Sequence, residues 1–222
     1  VKLPYTATNL QDEVTEANLE NKAYDTFLCQ LLEREYELRK EICHYLFQAR
    51  GVHCNPEQIV IGAGLEILLQ QLIMLLNKQT VYGVEDPGYH VISYLLKKYE
   101  YDVLPLKVDE EGVNVAEIEE KNIDVVYVTP SHHFPYGSIL SVNRRIKLLN
   151  WAAAKSNRFI IEDDYDSEFR YSGKSIPSLQ SMDQNGKVIY LGTFSKSLMP
   201  SIRISYMVIP NSLLQAYKKE LG

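Results

Sequence analysis

The sequence has 222 residues, of which 45% are hydrophobic and 23% are charged, a composition typical of a globular chain with enough apolar material for one core. A formal net charge of -6 repels polyanions, so the chain is a poor candidate for binding nucleic acid directly. Its 3 cysteines include no CxxC pair, which argues against a disulfide framework or a thiolate metal site and favours a reducing, cytoplasmic setting.

The most apolar stretch, residues 59–76, is interrupted by Glu66, Gln70 and Gln71. Because such side chains are costly in hydrocarbon, we predict a core helix here and no membrane span. No signal peptide is visible at the amino end. The sequence begins with Val1 rather than Met and stops at Gly222 within a helical pattern, so we expect native sequence to be missing at both ends.

Apolar residues spaced three and four apart predict an amphipathic helix over residues 36–50, stopped by Gly51. Short strands rich in Val and Ile then alternate with helices. We predict strands at 58–61, 80–84, 102–106, 125–128, 159–161 and 188–191, and helices at 65–76, 89–99, 115–121 and 142–154. This alternation indicates an α/β fold with a mostly parallel central sheet and helices on both faces. We divide the chain into an amino-terminal segment, 1–50, and one large domain, 51–222.

Ligands of such sheets bind beyond the carboxyl ends of the strands, so the loops at these ends are the first candidates for a binding site. Residues 62–64 read Gly-Ala-Gly between a strand and a helix, where free N–H groups at the helix start are able to hold a phosphate, although such glycines are more often ordinary turn residues. Residues 85–89 read EDPGY. This turn places Tyr89 at the start of a helix, and packing on the core is the commoner role for such a ring.

Three later loops also carry polar side chains. Residues 129–137 read TPSHHFPYG, but adjacent histidines in an extended chain point to opposite sides and no further ligand completes a set, so we expect no metal site. Residues 160–166 read IIEDDYD, which is either a solvated acidic turn or a site carboxylate presented at a strand end. Residues 190–197 read YLGTFSKS, and a lone lysine such as Lys196 is usually exposed to solvent.

Taken together, the motifs resemble those of the pyridoxal-phosphate (PLP) aminotransferases of fold type I. The order GAG with Glu66, EDPGY, TPSHHFPYG, IIEDDYDSEFRY and YLGTFSKSLMPSIRISY is similar to that in the MocR type of GntR-family transcription regulators. In that type, an aminotransferase-like domain follows a winged-helix DNA-binding domain. The resemblance covers nearly everything from Tyr36 onward, and it implies the large domain of fold type I with pyridoxal 5'-phosphate as the cofactor.

The resemblance also implies roles for individual residues. Lys196 would form the internal aldimine with PLP, which requires a primary amine able to lose its proton. Asp163 would pair with the pyridine nitrogen, Tyr165 would hydrogen-bond the phenolic oxygen, and Tyr89 would stack on the ring. The phosphate would be held through charge-assisted bonds by the backbone N–H groups, hydroxyls or guanidinium of six further residues: Ala63, Gly64, Leu65, Thr193, Ser195 and Arg203.

The chain departs from the pattern of the family at a few positions. Leu65 stands where Thr or Ser is frequent, His133 stands where Gln is common, and Tyr136 stands where Thr or Ser is common. Residues 28–32 read LCQLL, where the family usually has a Gly-Asp-Pro-x-Gly run.

Three functions remain open at this point. In the first, the chain is the effector-sensing and dimerisation domain of a MocR-type regulator, where an amino compound displaces Lys196 by transaldimination. Alternatively, it belongs to a free-standing aminotransferase, in which the released Lys196 moves the Cα proton, or it is a nucleotide binder without PLP. The residue sequences of the motifs favour the sensor domain. A nucleotide binder without PLP would give Asp163 and Lys196 no joint role. We expect a cytoplasmic homodimer that binds an amine and contacts DNA only through a domain outside this chain.

Overall fold

The structure is a computed structural model that describes residues 34–166, 177–194 and 203–220. Helix α1 covers residues 34–50, and 3-10 turns lie at Pro56–Gln58 and Gln180–Met182. The further helices are α2 (Leu65–Leu75), α3 (His90–Lys98), α4 (Val115–Glu120), α5 (Val142–Ala153) and α6 (Asn211–Glu220). The strands are β1 (Ile59–Gly62), β2 (Val81–Asp86), β3 (Asp102–Asp109), β4 (Gly112–Val113), β5 (Val125–Val128), β6 (Phe159–Asp163), β7 (Val188–Thr193) and β8 (Ser205–Val208). Within these ranges, no helix combines the length and the apolar character that crossing a bilayer requires.

The strands form one eight-stranded sheet in the order β1-β8-β7-β6-β5-β2-β3-β4. The pairings of β3 with β2, β2 with β5, β5 with β6 and β6 with β7 are parallel. Antiparallel pairings join β1 to β8, β8 to β7 and β3 to β4. The prediction of an α/β fold with a mostly parallel central sheet is confirmed, with antiparallel strands added towards both edges.

Both faces of the sheet are covered by helices, as predicted. Side chains of successive residues in a strand point to opposite faces, and β6 illustrates the result. Ile161 packs in one core cluster with residues of α2 and α3, whereas Ile160 packs in a second cluster with residues of α4 and α5. The helix α1 contributes Ile42 and Leu46 to a third cluster, which includes Tyr190 of β7.

The strand directions bring six chain segments to one edge of the sheet. Because β2, β5, β6 and β7 are parallel, their carboxyl ends lie at the same edge. The strand β8 runs the opposite way, so its first residue, Ser205, pairs with Thr193 at the end of β7. Ser205 also pairs with Gly62 at the end of β1. The residues that follow β1, β2, β5, β6 and β7, and those that precede β8, therefore converge.

The elements differ from the predicted ones mainly at their ends. The strands β6 and β7 each continue two residues beyond the predicted limits, to Asp163 and Thr193, because main-chain pairing with neighbouring strands continues through polar residues. The strands β4 and β8 were not predicted at all. The strand β4 has 2 residues, too few to show a period. The strand β8 has 4 residues, but it begins with the polar Ser205 and has one β-branched residue.

Candidate functional site

A cavity of about 490 Å³ lies at the edge where the carboxyl ends of the strands converge, and this volume is in the range usual for small-molecule sites. Most of the residues predicted to hold a cofactor line it: Gly64, Leu65, Tyr89, Asp163, Tyr165, Thr193 and Arg203. Ala63 is exposed, and its carbonyl oxygen accepts a hydrogen bond of 3.4 Å from Arg203 Nε. Ser195 and Lys196 lie outside the described residues.

One wall of the cavity is formed by the start of α2 and the guanidinium of Arg203. Gly64, which precedes the helix, has φ +124°, and a Cβ added there would lie 2.8 Å from Arg203 Nη2. Glycine therefore leaves the space that lets the guanidinium approach the helix start. The N–H groups of the first helical turn have no side-chain cap from this residue, so a helix terminus and a cation face the same space. Such an arrangement suits a phosphate.

Asp163 contributes a buried carboxylate to the lining of the cavity. It is the last residue of β6, its exposure is 3%, and its Oδ2 accepts a hydrogen bond from the hydroxyl of Tyr127 on β5. Burial and the nearby Asp163 raise the pKa of Tyr127 well above its ordinary value, so this hydroxyl keeps its proton and acts as a donor. A carboxylate held in this way is suited to bind a cationic N–H group, such as a protonated pyridine nitrogen.

The acidic residues around Asp163 are buried, so the alternative of a solvated acidic turn is wrong. Glu162, Asp164 and Asp166 are 0%, 3% and 8% exposed. Both carboxylate oxygens of Glu162 accept backbone N–H groups, from Leu179 at 2.7 Å and Gln180 at 2.8 Å, although burial still raises the pKa of Glu162 to about 7. Each acid at this strand end is thus tied to a different part of the chain.

Asp164 is joined to α1 by a buried ion pair. Arg50, at the end of the helix, donates from Nε to Asp164 Oδ2 at 2.7 Å and from Nη2 to Oδ1 at 3.2 Å. The Arg50 guanidinium also donates to Ser131 Oγ at 2.8 Å, and the hydroxyl of Tyr190 donates to Asp164 at 2.6 Å. This network fixes the end of β6 against α1, β7 and the loop that follows β5.

The two adjacent histidines of that loop face different partners. His132 Nδ1 lies 3.2 Å from Asp166 Oδ2, whereas His133 Nε2 lies 3.8 Å from Glu85 Oε2 on the second strand. No group of three or more His, Cys, Asp or Glu side chains within the described ranges is arranged to hold a metal ion.

Three residues that support the site were missed in the sequence: Arg50, Arg145 and Tyr127. Arg145 is 1% exposed and donates to the carbonyl oxygens of Leu140, Pro177 and Pro130 at 2.7–2.9 Å. Arg145 lies three residues before Leu148, so it is on the buried face of α5. A charged residue at this spacing could have been recognised in the sequence. Arg50 and Tyr127 offered no comparable signal.

Comparison with known proteins identifies the family. Residues 3–220 match the family described as aminotransferase class I and II. The chain belongs to the aminotransferase class I and II family. An HTH-type transcriptional regulator of Bacillus subtilis, YdeL, is 53% identical over 82% of the chain and 39% of its own length. The probable rhizopine catabolism regulatory protein MocR of Rhizobium meliloti is 35% identical over 82% of the chain and 37% of its own length.

A solved structure of this aminotransferase class agrees with the sequence relatives. The kynurenine aminotransferase of Pyrococcus horikoshii, in complex with PMP, superposes with a TM-score of 0.73 at 30% identity, covering 82% of this chain and 47% of the solved chain. The chain therefore spans about half of that aminotransferase and less than two fifths of the two regulators. The resemblance to MocR-type regulators is confirmed, and so is PLP as the cofactor of the family.

We expect Arg50→Ala to lower the free energy of unfolding by about 3–5 kcal/mol, because it leaves the carboxylate of Asp164 buried without its counter-charge. The control is Arg39→Ala in the same helix, which removes an ion pair to Glu35. The side chains of Arg39 and Glu35 are 31% and 42% exposed. That change should cost less than about 1 kcal/mol. Urea unfolding measures both values, and equal losses would contradict the structural role of Arg50.

Proposed function

We propose that this chain is the PLP-binding, effector-sensing and dimerisation part of a MocR-type regulator of the GntR family. The observation that carries the proposal is the convergence on one cavity of a buried carboxylate, a helix terminus with a guanidinium, and aromatic side chains. A cofactor with a cationic ring nitrogen at one end and a phosphate at the other matches this distribution of charge. The relatives named as regulators favour a sensory role for the site.

Each end of the cofactor has candidate partners among the lining residues. Asp163 would keep the ring nitrogen protonated, Tyr165 would bind the phenolic oxygen, and Tyr89 would cover the ring face. Gly64 and Leu65, with Ala63 beside them, would offer N–H groups to the phosphate, and Thr193, Ser195 and Arg203 would offer hydroxyls and a guanidinium. When bound, PLP supplies an aldehyde that reacts with primary amines and a ring that accepts electron density.

Lys196 is the amine that we propose to hold the cofactor. Thr193 and Arg203, which precede and follow it in the sequence, both line the cavity, and this supports the proposal. An amino compound would then take the place of Lys196 through transaldimination. The amine of Lys196, once released, would remain beside the effector and be able to exchange protons with it.

The partners of the full-length protein are part of the same proposal. Two relatives are named as an HTH-type transcriptional regulator and as a regulatory protein, which supports DNA binding by a domain other than this one. The formal charge of -6 also argues against DNA contact by this chain itself. We propose that the protein acts in the cytoplasm as a homodimer, with two cofactor sites.

Replacing Lys196 with Ala should abolish covalent attachment of PLP that survives borohydride reduction, because no amine remains at that position. Lys187→Ala is the matched control, since Lys187 precedes the other end of β7 and its Nζ donates to the carbonyl oxygens of Lys155 and Ser156. Mass spectrometry of the reduced full-length protein gives the readout. Full retention of bound cofactor in the first variant would reject the assignment of Lys196.

Replacing Gly64 with Ala should weaken PLP binding about tenfold, because the new methyl group pushes the guanidinium of Arg203 away from the helix start. The control is Gly186→Ala, since Gly186 also has a positive φ, +62°, but has no atom within 4 Å of an added Cβ. The cavity is changed in one variant alone. Alanine is more strained at Gly64, with φ 124° and ψ 154°, than at Gly186, so urea unfolding of both variants is measured beside the titration. Equilibrium titration with PLP compares the two, and equal affinities would argue against a phosphate at this wall.

A free-standing aminotransferase acting on an amino acid and a 2-oxo acid is the second candidate. The observation favouring it is the 30% identity to a solved kynurenine aminotransferase. A titration of the full-length, PLP-loaded protein with a panel of amino acids and 2-oxo acids separates the two functions. For the sensor, we expect a saturable change in the visible spectrum and no more than one equivalent of keto acid per site. Sustained formation of keto acid, lost in Lys196→Ala, would establish the enzyme instead.

A further inference from the structure

Two half-buried thiols lie in contact with each other beside the end of α1. Cys43 belongs to this helix, and Cys54 lies in the segment that leads from the helix to β1. Cys54 Sγ donates a hydrogen bond of 3.5 Å to Cys43 Sγ. Both side chains pack against the third core cluster, and both are present as free thiols. The proposed function uses neither of them.

The turn at the end of α1 brings the two cysteines together. Gly51 has φ +69°, a conformation that commonly ends a helix and reverses the chain. The N–H groups of Gly51 and Val52 donate back to carbonyl oxygens in the last turns of the helix, at 3.1 and 3.3 Å. The side chain of Val52 is fully buried. The chain therefore returns along α1, and Cys54 reaches the level of Cys43, which precedes it by 11 positions.

The residues on both sides of Cys54 are fixed by hydrogen bonds. The His53 N–H donates to Gln180 Oε1 at 3.2 Å, and Gln180 Nε2 donates to the His53 carbonyl oxygen at 3.0 Å. On the other side, the Asn55 N–H donates to Gln58 Oε1 at 3.1 Å. Because the main chain is held on each side of Cys54, the folded chain keeps its thiol against α1.

A contact of this kind suits reversible oxidation. A disulfide has an S–S bond of about 2 Å, so the two sulfur atoms have to approach by about 1.5 Å from their separation of 3.5 Å when the bond forms. Within the part of the chain that the structure describes, no third His, Cys, Asp or Glu side chain completes a metal site with them. The two thiols are thus paired with each other.

The two thiols differ in how readily they ionise. Burial raises the pKa of Cys43, but the hydrogen bond from Cys54 opposes this change. Burial raises the pKa of Cys54 as well, and there the charge and the hydrogen bond of Cys43 raise it further. Because the thiolate is the reactive form, Cys43 is the better placed to attack first. Both shifts are upward, so the exchange becomes faster as the pH rises through the alkaline range.

We propose that Cys43 and Cys54 form a dithiol site that reduces a low-molecular-weight disulfide and is itself converted to an intramolecular disulfide. This inference goes beyond the proposed function and does not depend on PLP. In a reducing setting the pair stays as two thiols, and a rise in the small disulfide closes the bond.

The exchange takes two steps. The thiolate of Cys43 attacks one sulfur of the small disulfide, whose S–S bond breaks and whose other sulfur leaves as a thiolate. The thiolate of Cys54 then attacks the Cys43 sulfur of the mixed disulfide, and the second small thiolate leaves. The two protein thiols lose two electrons, which reduce the small disulfide. The two protons of the protein thiols end on the two small thiols released.

Peptide mapping of the full-length protein, oxidised with glutathione disulfide, tests the proposal. Trypsin cleaves after Lys and Arg, so the 3 cysteines of this chain fall in separate peptides, 23–34, 41–50 and 51–78. After alkylation of free thiols and digestion without reductant, we expect peptide 41–50 linked to peptide 51–78, and loss of this product on treatment with dithiothreitol. Recovery of both peptides unlinked, either alkylated or each carrying its own glutathione, would overturn the proposal.

Serine variants test the order of the two steps. In Cys54→Ser, the mixed disulfide with glutathione should accumulate at Cys43, because the second thiol is absent. In Cys43→Ser, Cys54 should react about tenfold more slowly than Cys43 does in the other variant, because less of it is thiolate. Cys29→Ser is the matched control and should keep the link. If Cys54→Ser retains no more glutathione than the wild type, the two-step exchange is wrong.

Oxidation in the presence of urea shows whether the fold selects the pair. In the folded protein, the link between peptides 41–50 and 51–78 should exceed either link to peptide 23–34 by about tenfold, because contact replaces a random encounter. In the unfolded protein this preference should be lost. Equal amounts of the three links in the folded protein would reject the site. This comparison needs no variant, so it decides even where a serine variant does not fold.

Discussion

Burial of four carboxyl groups at the end of β6 is the constraint on which the site depends. Buried carboxylates require hydrogen bonds or a counter-charge, and here the donors come from separate parts of the chain. Glu162 accepts hydrogen bonds from two backbone N–H groups at the second 3-10 turn, and Asp163 accepts one from a tyrosine hydroxyl of β5. Asp164 accepts from the guanidinium at the end of α1, and Asp166 lies beside His132. Satisfying these acids therefore fixes the surroundings of the cavity.

The directions of the strands bring the polar side chains at their ends together into one site. Polar side chains stand after several strands in the sequence, but their convergence depends on the parallel pairings from β2 to β7 and on the reversal at β8. That reversal sets Ser205 between Gly62 and Thr193. Gly64 at the helix start, Thr193 at the end of β7 and Arg203 therefore all line the same cavity.

Much of the fold could be predicted from the sequence, because period-two and period-3.6 patterns reflect which side chains are buried. The strand β5 was predicted with its observed limits, Val125–Val128, since all four residues are apolar and buried. The ends of the strands were harder to predict from the sequence. Asp163 and Thr193 belong to strands through main-chain pairing, and their polar side chains hide that membership. The strand β8 has the same length as β5, but it begins with the polar Ser205 and contains a single β-branched residue, Val208, so its composition indicates a strand less clearly.

The site was predictable to the extent that its residues sit in motifs. Gly64, Tyr89, Asp163 and Arg203 came from such motifs, and the structure gathers them in one cavity. Supporting residues could not be found in this way, because their partners are far away in the sequence. Arg50 and Asp164 are 114 positions apart, and Tyr127 and Asp163 are 36 apart. No local pattern records such a pairing, so a folded chain is needed to reveal it.

The ion pair between Arg50 and Asp164 joins α1 to the strand end from which Asp163 lines the cavity. Asp164 directly follows Asp163, so a ligand that binds more tightly when this strand end is ordered also stabilises the docked helix. Linkage is reciprocal. The free energy that the ligand adds to helix docking equals the free energy that a docked helix adds to ligand binding, so either equilibrium reports on the other.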